Sequence, residues 1–418
     1  MTNSIREEKA PGISPEDGPG YIVNFLRDRD SYVIPRALAS RNQLVKLVTD
    51  IYFTKGPAWR QRVLSNLADH YSPDLNAELV EESLAAAAIQ FLGGRKLSKL
   101  IDTSHLADRL LARKTASVWK RKPADLLLYS GYARAAFRAS AGSNSCRLLF
   151  LYHPHHRIIS DLLRADASIF SESEKALRSD REVKTWWRWK YADEEIERAD
   201  GVITASRFSQ HSLKYAGFDK PTAVVPYFSK LKADTFSMSE KTSGTCRFLF
   251  VGQGVIRKGF HHLLRAWREA KLHKATLTCV CGHIDPNIVS LIPSDIILKK
   301  DLSHAELQKE YSRSHVFVMP SIIEGFGLVY NEARSYGNYI IYTQNTGAPD
   351  MQIDSKSGEM VPVGDVLELA RVLTKMSERY DANGIDFDHI ARRARSRQWD
   401  DYVIELIESC DALRQQKS

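Results

Sequence analysis

From residue 21 onward, short apolar runs alternate with longer amphipathic stretches. The runs at 21–26, 44–53, 126–129, 148–152, 201–205 and 222–226 are rich in β-branched and large apolar residues and read as strands. Segments 75–92 and 186–199 repeat their apolar residues at helical spacing and are predicted helices. A polar stretch, SKLKADTFSMSEKTSG at 229–244, breaks the periodicity and reads as an interdomain linker. The alternation then restarts, with strands predicted at 248–251, 275–281, 295–298, 315–319 and 339–343. Helices are predicted at 258–271, 304–313, 327–336, 366–379 and 399–413.

Alternation of this kind on both sides of a linker predicts an α/β protein with two Rossmann-like, doubly wound parallel-sheet domains. A chain of 418 residues is also longer than one core usually organises. The expected layout is a loose tail at 1–20, a first domain at 21–228, the linker at 229–244 and a second domain at 245–395. A helix at 396–418 is expected to pack back on the first domain.

Apolar residues make up 43% and charged residues 26%, enough apolar mass for real cores, which excludes disorder of the whole chain. No apolar run approaches the roughly 20 residues that cross a bilayer. Residues 1–20 lack the apolar stretch and small-residue cleavage site of a secretory signal. Cys146, Cys246, Cys279, Cys281 and Cys410 are scattered and odd in number, which predicts reduced thiols and a cytoplasmic location. Their spacing predicts no metal centre.

A net charge of +8 draws attention to anionic partners: phosphorylated small molecules, an anionic membrane surface or nucleic acid. The basic residues gather in RLLARKTASVWKRK at 109–122 and RRARSR at 392–397. A solvated helix face is the simplest reading of both, and peripheral docking at the inner face of the membrane is the other. The aromatic stretch WWRWKY at 186–191 reads as a helix burying its tryptophans, or as a surface for an acceptor or a membrane interface. No nucleic-acid-binding motif accompanies these features, so nucleic acid is not an expected partner.

Two segments carry chemistry. In Phe248-Leu-Phe-Val-Gly252-Gln253-Gly254-Val-Ile-Arg257-Lys258-Gly-Phe260 a buried strand runs into a glycine turn and then a helix. Glycine lets the backbone approach a ligand, a helix N-terminus favours anions, and Arg257 and Lys258 place two cations where a diphosphate would sit. The third glycine of a dinucleotide fingerprint is absent, since position 257 is arginine, which disfavours hydride chemistry. In His315-Val-Phe-Val-Met-Pro-Ser-Ile-Ile-Glu324-Gly325-Phe326-Gly327-Leu328-Val329-Tyr-Asn-Glu332 a strand ends in a tight loop before a second helix. Glu332 then stands about 7 to 8 Å along that helix from Gly327. Carboxylates accept hydrogen bonds from paired hydroxyls and amides donate to phosphate oxygens, so the segment suits a sugar nucleotide.

The second segment closely resembles the donor-site signature of the retaining glycosyltransferases of family 4, which have the GT-B fold. Val251-Gly252 with Arg257-Lys258-Gly259 resembles that family's phosphate-binding turn, and Gly347-Ala-Pro-Asp350 with Gly358-Glu-Met-Val-Pro362 its following loop and strand. Ala199-Asp-Gly-Val-Ile-Thr-Ala-Ser206 and Val225-Pro226 resemble the closing part of the family's N-terminal domain.

The resemblance implies a nucleoside-diphosphate-sugar as co-substrate, no metal or other cofactor, and transfer of a hexose or related sugar to a glycan or lipid-linked acceptor with retention, as in polysaccharide or glycolipid biosynthesis. It implies that Glu324 binds hydroxyls of the transferred sugar and Glu332 the ribose. Lys258, with Arg257, would neutralise the departing diphosphate, and amides of Gly325, Phe326, Gly327, Leu328 and Val329 would donate to it. Gly252 and Gln253 would line the same turn, and backbone around 281–284 would meet the base. His153, ending the strand before Pro154, would contact the sugar, with His155 and His156 competing for that role. The chain departs from the family at Gln253, where an arginine is common, at Arg27-Asp-Arg-Asp-Ser31 in place of paired glycines, and at Asn331. The competing readings are another GT-B nucleotide-sugar enzyme, such as an epimerase, and an inactive nucleotide-binding scaffold.

Overall fold

The fold is described from a computed structural model for residues 19–417, apart from 28, 55–66, 68–69, 93–101, 181–182, 184–187, 230–240 and 242–243. Packing divides the chain into two compact units, Met1–Leu148 and Leu149–Ser418. Most of the expected linker at 229–244, and the expected tail up to residue 18, lie outside the described residues.

The first unit begins with β1 (Tyr21–Asn24), α1 (Val33–Ser40), β2 (Leu44–Thr49) and β3 (Val80–Glu82). It continues with α2 (Leu84–Leu92), α3 (Thr103–Arg121), β4 (Asp125–Tyr129) and α4 (Arg134–Ala139). Its strands lie side by side in the order β3-β2-β1-β4, all parallel. Parallel strands are covered on both faces, which is why β1 and β4 read as continuous buried runs. Segment 75–92 is not one helix as its spacing predicts. Val80 pairs with Leu47 of β2 and is fully buried there, and the helix starts only at Leu84. Strand pairing outweighs the local helical pattern.

The division between the units falls within β5 (Arg147–Leu151). After it come α5 (His156–Ile169), α6 (Ser171–Ser179), α7 (Trp189–Arg198), β6 (Gly201–Thr204), α8 (Arg207–Tyr215) and β7 (Thr222–Val224). Next follow β8 (Cys246–Val251), α9 (Phe260–Ala270), β9 (Ala275–Val280), β10 (Ile297–Lys299), α10 (His304–Arg313) and β11 (Val316–Val318). The chain ends with α11 (Leu328–Ser335), β12 (Tyr339–Thr343), β13 (Gly358–Val361), α12 (Val366–Asp381), α13 (Phe387–Ala394) and α14 (Trp399–Gln415).

Strands β8 to β13 form a six-stranded parallel sheet in the order β10-β9-β8-β11-β12-β13. The chain order therefore reverses direction between β8 and β11, the position where doubly wound sheets open a ligand crevice at their strand ends. Helix α14 packs on β6 and β7. Just before it, Arg397 donates to the carbonyls of Pro226 at 2.6 Å and Tyr227 at 3.2 Å, and Phe228 meets Trp399 edge to face. Arg393 reaches Asp354 and Arg395 the carbonyl of Ser335, so much of the 392–397 basic cluster bonds to the protein itself. In the other cluster, Lys114 and Arg121 both pair with Glu81.

Asn24, fully buried at the end of β1, donates from Nδ2 to Thr115 Oγ1 and to the carbonyl of Tyr132, each at 3.0 Å. Replacing Asn24 by Ala removes both of these buried bonds. Urea unfolding is expected to show a loss of about 1 to 3 kcal/mol in the transition of the first unit.

Candidate active site

Two turns meet where β8 and β11 end. After β8 come Gly252 and the exposed Gln253, and then Ile256–Lys258 forms a short 3-10 turn leading into α9. After β11, residues 319–327 lead into α11. The carbonyl of Arg257 accepts from the amides of Ile322 at 3.0 Å and Ile323 at 3.3 Å, stitching the turns together. Gly259, with φ at +63°, lies so close to the Pro320 carbonyl that a Cβ would fall 1.8 Å from its oxygen. Only glycine fits there, and this contact brings the cationic turn against the acidic one.

The Nζ of Lys258 forms an ion pair with the Glu324 carboxylate, with the lysine side chain 19% exposed. Burial, and then the neighbouring Arg257, pull the Lys258 ammonium down towards about 7, and the Glu324 carboxylate touching it works in the other direction. The other Glu324 oxygen accepts from the Gly325 amide at 3.1 Å, and the Glu324 amide donates to the Asn345 carbonyl at 3.0 Å. Helix α11 opens at Gly327 with no side-chain cap, so its first amides are left for another acceptor at the dipole's positive end. Leu328 and Val329 form its first turn, half-buried. Glu332 is half-buried further along the helix, where Tyr311 Oη donates to its Oε2 at 3.0 Å. On the β8 side, Gly254 exchanges backbone hydrogen bonds with His283 and Asp285, which puts the 281–284 strand end beside the turn.

The structure separates the three histidines. His153 is exposed, its ring 4.5 Å from that of Tyr152. A Cβ on Gly325 would stand 2.3 Å from the Tyr152 carbonyl oxygen and 3.4 Å from the His153 Cα. His153 therefore lies against the loop that carries Glu324. His155 and His156 are buried: the Nε2 of His155 meets Asp193 at 2.9 Å, and His156 stacks on Trp189. Trp186 and Trp187 of the aromatic stretch lie outside the described residues.

The sequence does not reveal the tertiary contacts of several supporting residues. Ser206 donates to the Gly325 carbonyl at 2.6 Å and Ser209 at 3.4 Å, and the Arg207 amide donates to Asp350 at 2.9 Å. The N-terminus of α8 thereby grips both the loop at Gly325 and the turn at Asp350. Ser206 is legible as a helix N-cap, but its second bond is tertiary. Buried Asp166 on α5 takes His262 Nε2 at 2.7 Å, His261 Nε2 at 2.9 Å and Ser173 Oγ at 2.7 Å. It ties α5, which starts beside the His153 loop, to α9, which starts after Lys258. Spacing along the chain predicts no such cluster, yet Asp166 with His261 and His262, and Asp193 with His155 and His156, each gather three groups of ligand type. The Asp166 contacts are hydrogen bonds in length. Among the described residues, the Nδ1 atoms of His261 and His262 lack the second partner that metal-bound imidazoles usually have.

Residues 234–383 match the sequence model of the family glycosyl transferases group 1. Among curated proteins, the capsular polysaccharide biosynthesis glycosyltransferase CapM of Staphylococcus aureus is 27% identical over 188 residues, 42% of this chain and 48% of that one. The chain spans about half or less of the length of the curated relatives it matches. Among solved structures, sucrose-phosphate synthase from Thermosynechococcus elongatus superposes with a TM-score of 0.66 at 18% identity, covering 94% of this chain and 99% of that one. Anabaena HepE in complex with UDP-glucose reaches 0.58 at 15% identity, covering 95% and 100%. These likenesses establish the fold, two Rossmann-like parallel-sheet α/β domains of the GT-B class.

Burial sets an acid limit on the second unit. It pushes His156 down to about 4, with the charge of His155 adding to it, and His315 down to about 3, with Lys241 adding to it. Burial, then His262, also lowers His261. The unfolded chain binds these protons at the ordinary 6.5 while the folded chain does not. Stability is thus fully present above that value and falls as pH drops below it, by up to about 1.4 kcal/mol per pH unit per ring. The urea midpoint is expected to fall steadily from pH 7 to pH 4.5, with a shallower slope in His156→Gln; a flat profile would contradict the assignment.

Proposed function

We propose that the protein is a retaining glycosyltransferase of family 4 that moves a hexose or related sugar from a nucleoside-diphosphate-sugar to a glycan or lipid-linked acceptor, without a metal ion. The observation that carries this reading is the convergence of Lys258, the Glu324 carboxylate and the uncapped N-terminus of α11 at the ends of β8 and β11. A diphosphate leaving group needs positive charge as its bond to the sugar breaks, and fixed cations with a helix N-terminus provide it without reorganisation. In this reading the ion pair between Lys258 and Glu324 exchanges when the donor enters. Lys258 turns to the phosphate oxygens, and Glu324 accepts hydrogen bonds from the sugar hydroxyls. Arg257 adds to the charge, Glu332 accepts from the ribose, and His153 meets the sugar from the opposite loop. Matches to a capsular polysaccharide glycosyltransferase favour polysaccharide or glycolipid synthesis as the setting.

The test is a thermal-shift series with UDP, GDP, dTDP, ADP and CMP and their sugar conjugates, starting with UDP because HepE was solved with UDP-glucose. One series is expected to stabilise the protein, by about 2.7 kcal/mol at a hundredfold excess over Kd. Lys258→Ala and Glu332→Ala should abolish that shift, and no stabilisation by any nucleotide would sink the reading.

No described helix is long and apolar enough to cross a membrane. Work at the inner face of the membrane would rest on the exposed cations of α3, such as Arg109. Co-sedimentation with anionic vesicles is expected at low ionic strength and should be lost at high salt. No binding at low salt removes that part of the proposal.

A further inference from the structure

The carboxylate of Glu332 has a partner that the sequence pattern does not announce. Tyr311 lies in the last turn of α10, 2% exposed, with its ring stacked on Tyr336 at 5.7 Å and 15°. Its own carbonyl accepts from Asn338 Nδ2 at 3.1 Å and from Lys241 Nζ at 3.2 Å, so backbone and ring are both anchored. From this fixed base the phenol donates to Glu332 Oε2. Among the described residues no other side chain hydrogen-bonds that carboxylate, and the glutamate keeps some exposure.

We propose that Tyr311 is a positioning residue for the nucleotide site, clamping one oxygen of Glu332 so that the rest of the carboxylate is presented to the vicinal hydroxyls of a ribose. This rests on the donor-site reading above. An ionised carboxylate has about four acceptor positions, so one bond from a phenol leaves room for two hydroxyls. A carboxylate free to rotate would have to order itself on binding and would distinguish a ribose poorly from a 2′-deoxyribose. A held one leaves an acceptor unsatisfied when a hydroxyl is missing, which is how polar sites discriminate most strongly.

The bond also bears on charge. Burial raises the Glu332 carboxyl above its ordinary value, while the Tyr311 hydrogen bond, and then the charge of His304 on the same helix as Tyr311, oppose that rise. Burial, followed by the charge of Glu332, keeps the Tyr311 phenol protonated and hence a donor. Removing the hydroxyl pushes Glu332 towards the neutral acid, which offers a donor where two acceptors are needed.

Tyr311→Phe removes one oxygen and keeps the buried ring. Affinities of the wild-type and variant proteins for UDP, GDP and ADP, each beside its 2′-deoxy form, form the first measurement. For whichever base binds, the wild type is expected to favour the ribonucleotide by about tenfold or more, a difference of about 1.4 kcal/mol. The variant should lose most of that preference while binding the deoxy form as before. An unchanged ribo-to-deoxy ratio, or an equal loss for both forms, overturns the proposal. The second measurement is a carbon-13 titration of glutamate carboxyls in the free protein, with Glu332 assigned by Glu332→Gln. The Glu332 midpoint is expected to rise in Tyr311→Phe, because the hydrogen bond that opposes its upward shift is lost, and no rise also overturns the proposal. Should the wild type bind no nucleotide, the donor-site reading fails, and the carboxyl titration still decides whether Tyr311 governs Glu332.

Discussion

The candidate site depends on one backbone contact: the Arg257 carbonyl receives two amides from the loop after β11, and Gly259 lies against the Pro320 carbonyl with no room for a side chain. Remove that contact and the cationic and acidic turns become independent loops, each following its own strand. With it, Lys258 and Glu324 come into contact, and the open end of α11 faces the same place. The strand order makes the contact possible, because reversal between β8 and β11 leaves the two turns as neighbours with no helix crossing between them.

Around that contact, the second unit is held by polar groups that are buried because they are paired. Ser206 and Ser209 fix the Gly325 carbonyl, Asp350 takes the Arg207 amide, and Asp166 collects two imidazoles and a hydroxyl. Each bond joins an element of residues 149–228 to one of residues 245–395 or fixes such a joint. Buried pairs of this kind are costly to break one partner at a time, which favours a single arrangement of the loops. The imidazoles kept neutral by burial are the acid-sensitive side of the same design.

The site's electrostatics place opposite charges side by side before any ligand arrives. Lys258 and Glu324 neutralise one another in a partly buried place where either alone would pay a large desolvation cost. In the proposed donor reading, a ligand bearing both phosphates and hydroxyls replaces each partner in turn. Tyr311 holds one oxygen of Glu332 from a helix that lies outside the motif's own sequence.

The sequence alone determined the alternation of strands and helices, the glycine turns, and the pairing of Glu324 with Glu332 along one loop and helix, because these are local patterns of spacing and backbone freedom. The helix at 304–313 and the strand at 339–343 agree with the structure residue for residue, since the Ser303 capping box and the flanking polar residues mark their ends. Tertiary structure alone decided that Val80 joins a sheet and not a helix, that His153 is the exposed histidine while His155 and His156 are buried, and that Tyr311 hydrogen-bonds Glu332. The physical reason is the same each time. A strand partner, a burial cost or a hydrogen bond across 21 residues of chain is set by what lies beside the residue in space, and neighbours along the sequence carry no record of it.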